Sequence, residues 1–328
     1  MANPFTGTYS SGGSYKYAPL LFSKKVMYLF TEQLILNEIT NNDYEGEIKG
    51  KGDNVEIRVA PTYIPVNDYA IGGPIDYTTA AEEVRNLPID HAVVAAFTFD
   101  EIDKVQSDMA LMNIYAEKSA YSLNRDTSTK VLKVMGEGAY DDTANVWGAH
   151  TSGNIGANAG KISGGYDLGS AGAPVLIDKT NVLDKIVDLG TVLDEADVPA
   201  EGRFLVLPAW FCNFLKKGDL KQADLTGDTT GVVRTGLIGE IDNFMIYKSN
   251  LIHHVTDSAP SVGTPEAFYI LAGVKDATTF ASQVTKTETV VAESSFGEKW
   301  RSLLVYGRKV IQPEALAMLY CTKDAYTA

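Results

Sequence analysis

At 328 residues the chain has room for about two domains and for a core that needs neither metal nor disulfide. Its 42 acidic side chains against 28 basic ones give a formal charge of −14. Such a surface repels phosphate and disfavours direct nucleic-acid binding; it suits the inner wall of a container as well as it suits plain solubility.

Cys212 and Cys321 show no CxxC spacing and no disulfide framework; each sits in an apolar run, as a small core residue would. Residues 1–13 are small, polar and Gly/Ser-rich rather than a secretory signal, and no run approaches ~18 apolar residues. A cytoplasmic protein without a membrane span is expected.

Residues 1–19 (MANPFTGTYSSGGSYKYAP) cannot form a core alone and read as an extended arm, with Tyr9, Tyr15 and Tyr17 as anchors. A helix is expected over 23–39, with Val26, Phe30 and Leu34 on one face. Next, Val55, Ile57 and Val59 alternate with Asn54, Glu56 and Arg58, the period of a half-buried strand. Residues 45–49 are its expected hairpin partner, and Pro61, Pro65, Gly72, Gly73 and Pro74 keep the return path extended. This long β-excursion has little core of its own.

A short strand is expected over 93–99, with Thr98 and Glu101 as a capping box for the longest periodic segment of the chain. There Val105, Met109, Met112, Ala116, Ala120, Leu123, Thr127, Val131 and Val134 step by three and four to about Gly136. That is a spine of roughly 45–50 Å at ~1.5 Å per residue. Residues 141–174 are Gly/Ala/Ser/Asn-rich and read as a loop or loose strand pair. A helix follows over 181–196 with Val182, Ile186, Leu189, Val192 and Leu193 as its stripe, then a buried strand over 204–207. The helix over 209–217 ends in Lys216, Lys217 and Gly218. Strands are expected at 244–247, 268–272, 301–311 and 315–320, separated by polar loops at 221–235 and 256–265. Strands and helices segregate rather than alternate, which favours α+β over α/β.

The chemistry-bearing residues form no site. The Gly-rich stretch 153–165 lacks GxxxxGK[ST] spacing: Lys161 is followed by Ile162. Asp100, Glu101 and Asp103, and likewise Asp194, Glu195 and Asp197, read as helix capping and a solvated turn, with no accompanying His. His253 and His254 are adjacent, so a strand turns them to opposite faces, and His91 and His150 lack a metal-ligand partner. Neither cysteine has a neighbouring His, and no GxSxG elbow exists. No cofactor, metal or catalytic residue is expected.

One ordered set of segments carries a resemblance. GDNVEIRVAPTYIPVNDY (52–69) resembles the extended-loop strand of tailed-phage coat proteins, and AAFTFDEIDKVQSDMALMNIYAEKSAYSL (95–123) their strand and spine-helix entry. LDEADVPAEGRFLVLPAWF (193–211) resembles the outer-lobe helix, strand and helix, and GEIDNFMIYKSNLI (239–252) the lobe strand and its turn. DATTFASQVTKTE (276–288) and WRSLLVYGRKVIQPEALAML (300–319) are similar to the exit from the lobe and the closing strands. The chain is thus identified as a member of the Hong Kong 97-type fold family of tailed-bacteriophage major capsid proteins and encapsulins.

The resemblance implies an N-terminal arm and helix over 1–42, an extended loop over 43–85, a peripheral domain with the spine over 86–180, an axial domain over 181–285, and closing peripheral strands and C-terminus over 286–328. It implies self-assembly into hexamers and pentamers of an icosahedral head that encloses double-stranded DNA without binding it specifically. The location implied is the virion capsid, assembled in the host bacterial cytoplasm. Scaffolding, portal and decoration proteins are the further partners it suggests. Lys49 and Lys51 lie in the loop, but no partner Asn or assisting carboxylate can be placed, so no covalent crosslink is inferred. An encapsulin-like compartment shell is the alternative within the fold, and a soluble α+β enzyme the alternative outside it. The candidate interface residues are Glu56 and Arg58 on the loop and Trp210 and Phe211 in the outer lobe, against the plainer readings of solvated strand face and lobe core.

Overall fold

The computed structural model describes residues 34–44, 54–59, 66, 68, 71, 77, 83–100, 111–137, 140–141, 146–147, 166–169, 172–218, 239–257, 263–291 and 297–324. The arm, the Gly-rich stretch 153–165, the loop 221–235 and most of the helix expected over 23–39 lie outside them. Of that helix, the last turn is described as α1 (Leu36–Ile39).

The alternating strand is β1 (Asn54–Val59), and its side-chain parity is as the sequence indicates: Ile57 is buried while Glu56 and Arg58 are exposed. Its described partner is not 45–49, which lies outside the described residues, but β2 (Glu83–Pro88), antiparallel with Ile57 opposite Arg85. Ile57 and the fully buried Leu87 root this hairpin against Ala281 and Ile311.

After Ile89 and Asp90 the chain continues into β3 (His91–Asp100). With β12 (Thr278–Val291) and β13 (Gly297–Val310) it makes a three-stranded antiparallel sheet in the order β12-β13-β3. Thr98 lies within β3, opposite Lys299, so it does not cap a helix. The apolar, β-branched and aromatic run from Ala92 to Phe99 carries the chain past that point as strand.

The spine is α2 (Leu111–Glu137), about 40 Å long at ~1.5 Å per residue. It crosses both β3 and β13. Only its C-terminal part is truly buried, through Thr127, Ser128, Val131, Leu132, Met135 and Gly136. The expected stripe is therefore right at its end, at Thr127 and Val131, and thins upstream: Ala116 and Leu123 are half-buried and Ala120 is exposed. Two short strands, β4 (Tyr140–Asp141) and β5 (Val146–Trp147), pair in the region read as a loose strand pair.

The second sheet has seven strands. In spatial order, β6 (Val175–Ile177), β14 (Leu316–Asp324), β11 (Gly263–Val274), β7 (Arg203–Leu207), β9 (Phe244–Lys248) and β8 (Glu240–Ile241) form the path, and β10 (His254–Thr256) pairs with β11. Two helices, α3 (Val182–Glu195) and α4 (Ala209–Lys217), cover one face. The other face packs on α1, the end of α2 and the three-stranded sheet. This sandwiching explains why β7 is a continuous apolar run. Leu205 and Leu207 point to α3 and α4, while Phe204 and Val206 point to the spine side.

The last strand alternates in the same way, with Leu316, Met318 and Tyr320 on the spine side and Ala317, Leu319 and Cys321 on the helix side. It lies between β11 and β6 in this sheet, whereas the resemblance grouped it with the closing peripheral strands over 286–328. Gly273 passes close to the start of this strand. A Cβ on it would lie 2.6 Å from the Ala315 carbonyl oxygen.

Candidate assembly surfaces

Three surfaces stand out because apolar groups meet solvent on them. The first is the hairpin and its loop. Glu56 and Arg58 share the outward face of the hairpin with Asn86 and with Val84, which is 45% exposed. Farther along, Val66, Ile71 and Tyr77 are almost fully exposed. Between Arg58 and Arg85 the chain has no basic residue, only the acids Asp68, Asp76, Glu82 and Glu83. Exposed apolar side chains of this size on an acidic loop make it a candidate contact surface.

The second surface is the outer lobe. Arg203, 2% exposed, ties the α3–β7 turn by donating to the Pro199 and Val198 carbonyl oxygens and pairing with Asp194. Asp242 and Asn243, both at positive φ, make the tight turn from β8 to β9. On the outside Val187 is 46% and Met245 55% exposed. The predicted interface aromatics lie inward of this. Phe211 is fully buried and has no surface to offer a neighbour. Trp210 is half-buried, edge-on to Phe211, Phe214 and Phe268 at 5.6, 5.9 and 5.5 Å. Pro208 and Gly218 bound the helix that places both rings. Sequence reading did not single out Val187 and Met245, whose only signal is an apolar residue on an otherwise polar face.

The third surface is β3 itself: its open edge, the groove between it and α2, and its far face, where Val94 is 60% exposed.

The chemistry-bearing residues do not converge. His253 stacks on Tyr269 at 5.0 Å and His254 lies against Phe268 at 5.4 Å, on opposite faces of β11. Burial pushes both thiols, Cys212 and Cys321, up from their ordinary values. Asp194 is held by Arg203, Asp197 sits in the following turn at positive φ, and Glu101 and Asp103 lie outside the described residues. Among the described residues no group of His, Cys, Asp and Glu is placed to hold a metal, and no helix is long and apolar enough to cross a membrane.

His253 carries a pH prediction. Burial, then Lys133 and His254, lower it to about 4. The unfolded chain therefore takes up this proton first, so stability is full above pH ~6.5 and falls as pH drops toward 4. Allowing for partial solvent contact, the loss is on the order of 2 kcal/mol. His253→Phe keeps the ring on Tyr269 and removes the titration. Thermal melts from pH 7 to 4 should show a steeper decline in wild type than in the variant; parallel curves would refute the assignment.

The phage capsid protein family model matches residues 90–319. Among solved structures, one from Mycobacterium phage Che8 aligns at 25% identity and TM-score 0.68, over 93% of this chain and 98% of that one. The capsid of the cyanophage P-SCSP1u aligns at 14% identity and TM-score 0.64, over 94% of each chain. The capsid of an empty GTA particle aligns at 12% and 0.61, over 97% of this chain and 99% of that one. These last two speak for the fold alone. No curated protein matches the chain. The family match runs from the strand before the spine into the last strand of the lobe sheet, on a Hong Kong 97-type fold held along nearly the whole chain, and so this chain belongs to the phage capsid protein family, a structural major capsid protein of the bacteriophage head.

Proposed function

We propose that copies of this subunit form hexamers and pentamers closing an icosahedral head around double-stranded DNA, and that the protein works by assembly without catalysis. The observation that carries this reading is the loop rooted at β1 and β2, whose Val66, Ile71 and Tyr77 lie in solvent in the lone subunit. A chain that leaves such groups uncovered is stabilised by the neighbour that covers them.

The complementary surface is the face of the three-stranded sheet turned away from α2. There Lys286, Lys299 and Arg301, with Glu288 paired among them, surround Val94 and Leu303. An acidic, apolar loop from the next subunit suits that basic-rimmed apolar face. Residues 43–85 then serve as the extended loop, 86–180 and 286–315 as the peripheral domain, and 181–285 as the axial domain, joined by the last strand. The charge of −14 keeps the inner wall from gripping the genome. Scaffolding, portal and decoration proteins complete the head, and assembly takes place in the host cytoplasm.

Negative-stain electron microscopy with analytical ultracentrifugation of the expressed protein, alone and with its neighbouring phage genes, tests the reading. Closed shells or five- and six-fold rings are expected. A monomer or small dimer under every condition would overturn it.

A further inference from the structure

β3 is a ten-residue strand that, among the described residues, pairs only on its β13 side. Between His91 and Asp100 its sequence, AVVAAFTF, holds no charge, proline or glycine. Natural proteins guard an open edge with such residues, and an edge left bare is a template for a further strand. A groove of about 660 Å³ runs along it, walled by β3 from Ala92 to Phe97 and by Tyr115, Lys118, Ser122 and Asp126 of α2.

This surface is complementary to itself. Around Val94 the side chains facing away from α2 read Ala92, Val94, Ala96, a small–large–small order unchanged by antiparallel reversal. The helix has the same centre. The Tyr115 ring lies 5.9 Å from that of Phe97. From there α2 advances about 10.5 Å in the seven residues to Ser122, while β3 retreats about 10 Å in the three residues to Val94. Ser122 is therefore level with Val94. Lys118 and Asp126 lie four residues to either side of it, one turn each way.

We propose that β3 pairs antiparallel with β3 of a second copy of this chain, on a two-fold axis through Val94. The two three-stranded sheets then form one continuous sheet of six strands. Strands meet at ~4.8 Å, and α2 lies over both β3 and β13, so the two spine helices come about 10 Å apart, a normal packing distance. Ser122 faces its own copy at the crossing, where a small residue permits the approach. Lys118 of each copy faces Asp126 of the other, giving two ion pairs in addition to the Asp126–Lys130 pair within one helix. Charge and strand register thus select the same axis and the same occupant. The pairing rests on the shell reading only for its supply of copies.

The test is oxidative cross-linking at single cysteines, followed on denaturing gels. Cys212 and Cys321 are buried, so wild type serves as the blank. Val94 is exposed, so Val94→Cys should fold and give covalent dimers, because facing strand residues lie at disulfide distance. Ala92→Cys copies should not link to one another, being about 13 Å apart across the axis, but should link when mixed with Ala96→Cys copies. In the Val94→Cys background, Lys118→Asp or Asp126→Lys should cut the dimer yield several-fold, and the two together should restore it. Absence of the Val94→Cys dimer, self-linking of Ala92→Cys as strong as that of Val94→Cys, or linkage to a different segment would overturn the proposal. Microscopy of the same samples keeps the two readings apart: shells without the dimer overturn this pairing alone, and dimers without shells overturn the shell alone.

Discussion

Phe211→Ala is expected to lower the unfolding free energy of the dissociated subunit by about 3–5 kcal/mol, enough to remove much of the stability of an ordinary domain. The ring is fully buried, in a cluster that includes Phe214, Leu215, Leu207 and Ile270. Truncation removes both its transfer from water and its dispersion contacts, and the β7 backbone cannot collapse into the space because its other face is packed against the spine side. Trp210→Ala should cost less, since that ring keeps partial solvent contact and its packing is edge-on. Urea unfolding of both variants, with assembly measured separately, decides the role of these aromatics. A core role predicts a shifted midpoint at unchanged slope for Phe211→Ala. A change under about 1 kcal/mol with assembly abolished would return Phe211 to the interface.

The outer lobe was the most legible part of the chain because its signals are local. Val182, Ile186, Leu189, Val192 and Leu193 are all buried on α3, and Pro208 and Gly218 bound α4 where a helix start and stop were read. Pairing was not legible. β1 was evident from alternation, but its partner β2 begins 24 residues after β1 ends (83 − 59), across a segment with no repeating pattern. β12 was missed because TTFASQVTKTETVV mixes Thr, Lys and Glu without a clean period; it is a strand because β13 pairs along it. The last strand was seen but its neighbours were not, since a strand buried on both faces shows which residues are apolar and not which sheet holds them. On α2 the stepping pattern continued past the buried part: Ala120 keeps the period yet is exposed, and Leu123 keeps it yet lines the groove beside β3. Of the candidate interface residues, the outward aim of Glu56 and Arg58 followed from strand parity, whereas a buried aromatic and a docking aromatic look alike in sequence. The openness of β3 is a property of sheet order, which no local pattern encodes.

Reversing the hairpin charges, Glu56→Lys with Arg58→Glu, is expected to leave the subunit intact and to disable the shell. Both side chains are exposed, and surface changes away from caps and cores move stability by less than about 0.5 kcal/mol. Net charge is unchanged, so any effect belongs to pattern rather than to overall repulsion. On the proposed loop contact, each subunit presents this face to a neighbour whose sheet carries Lys286, Lys299 and Arg301. A lysine at 56 then meets cations in place of an anion. Every 1.4 kcal/mol lost per contact raises the dissociation constant of that contact about tenfold. The contact recurs at every subunit, so the threshold concentration for shells, read by ultracentrifugation, should rise by at least that factor. Raising the salt should narrow the gap between variant and wild type, because screened charges steer less. The control is Ile57→Ala, which empties the buried side of the same strand and should cost about 2–4 kcal/mol of subunit stability. A threshold unchanged by the double reversal would make Glu56 and Arg58 a solvated strand face and move the loop contact onto the apolar residues of 59–82.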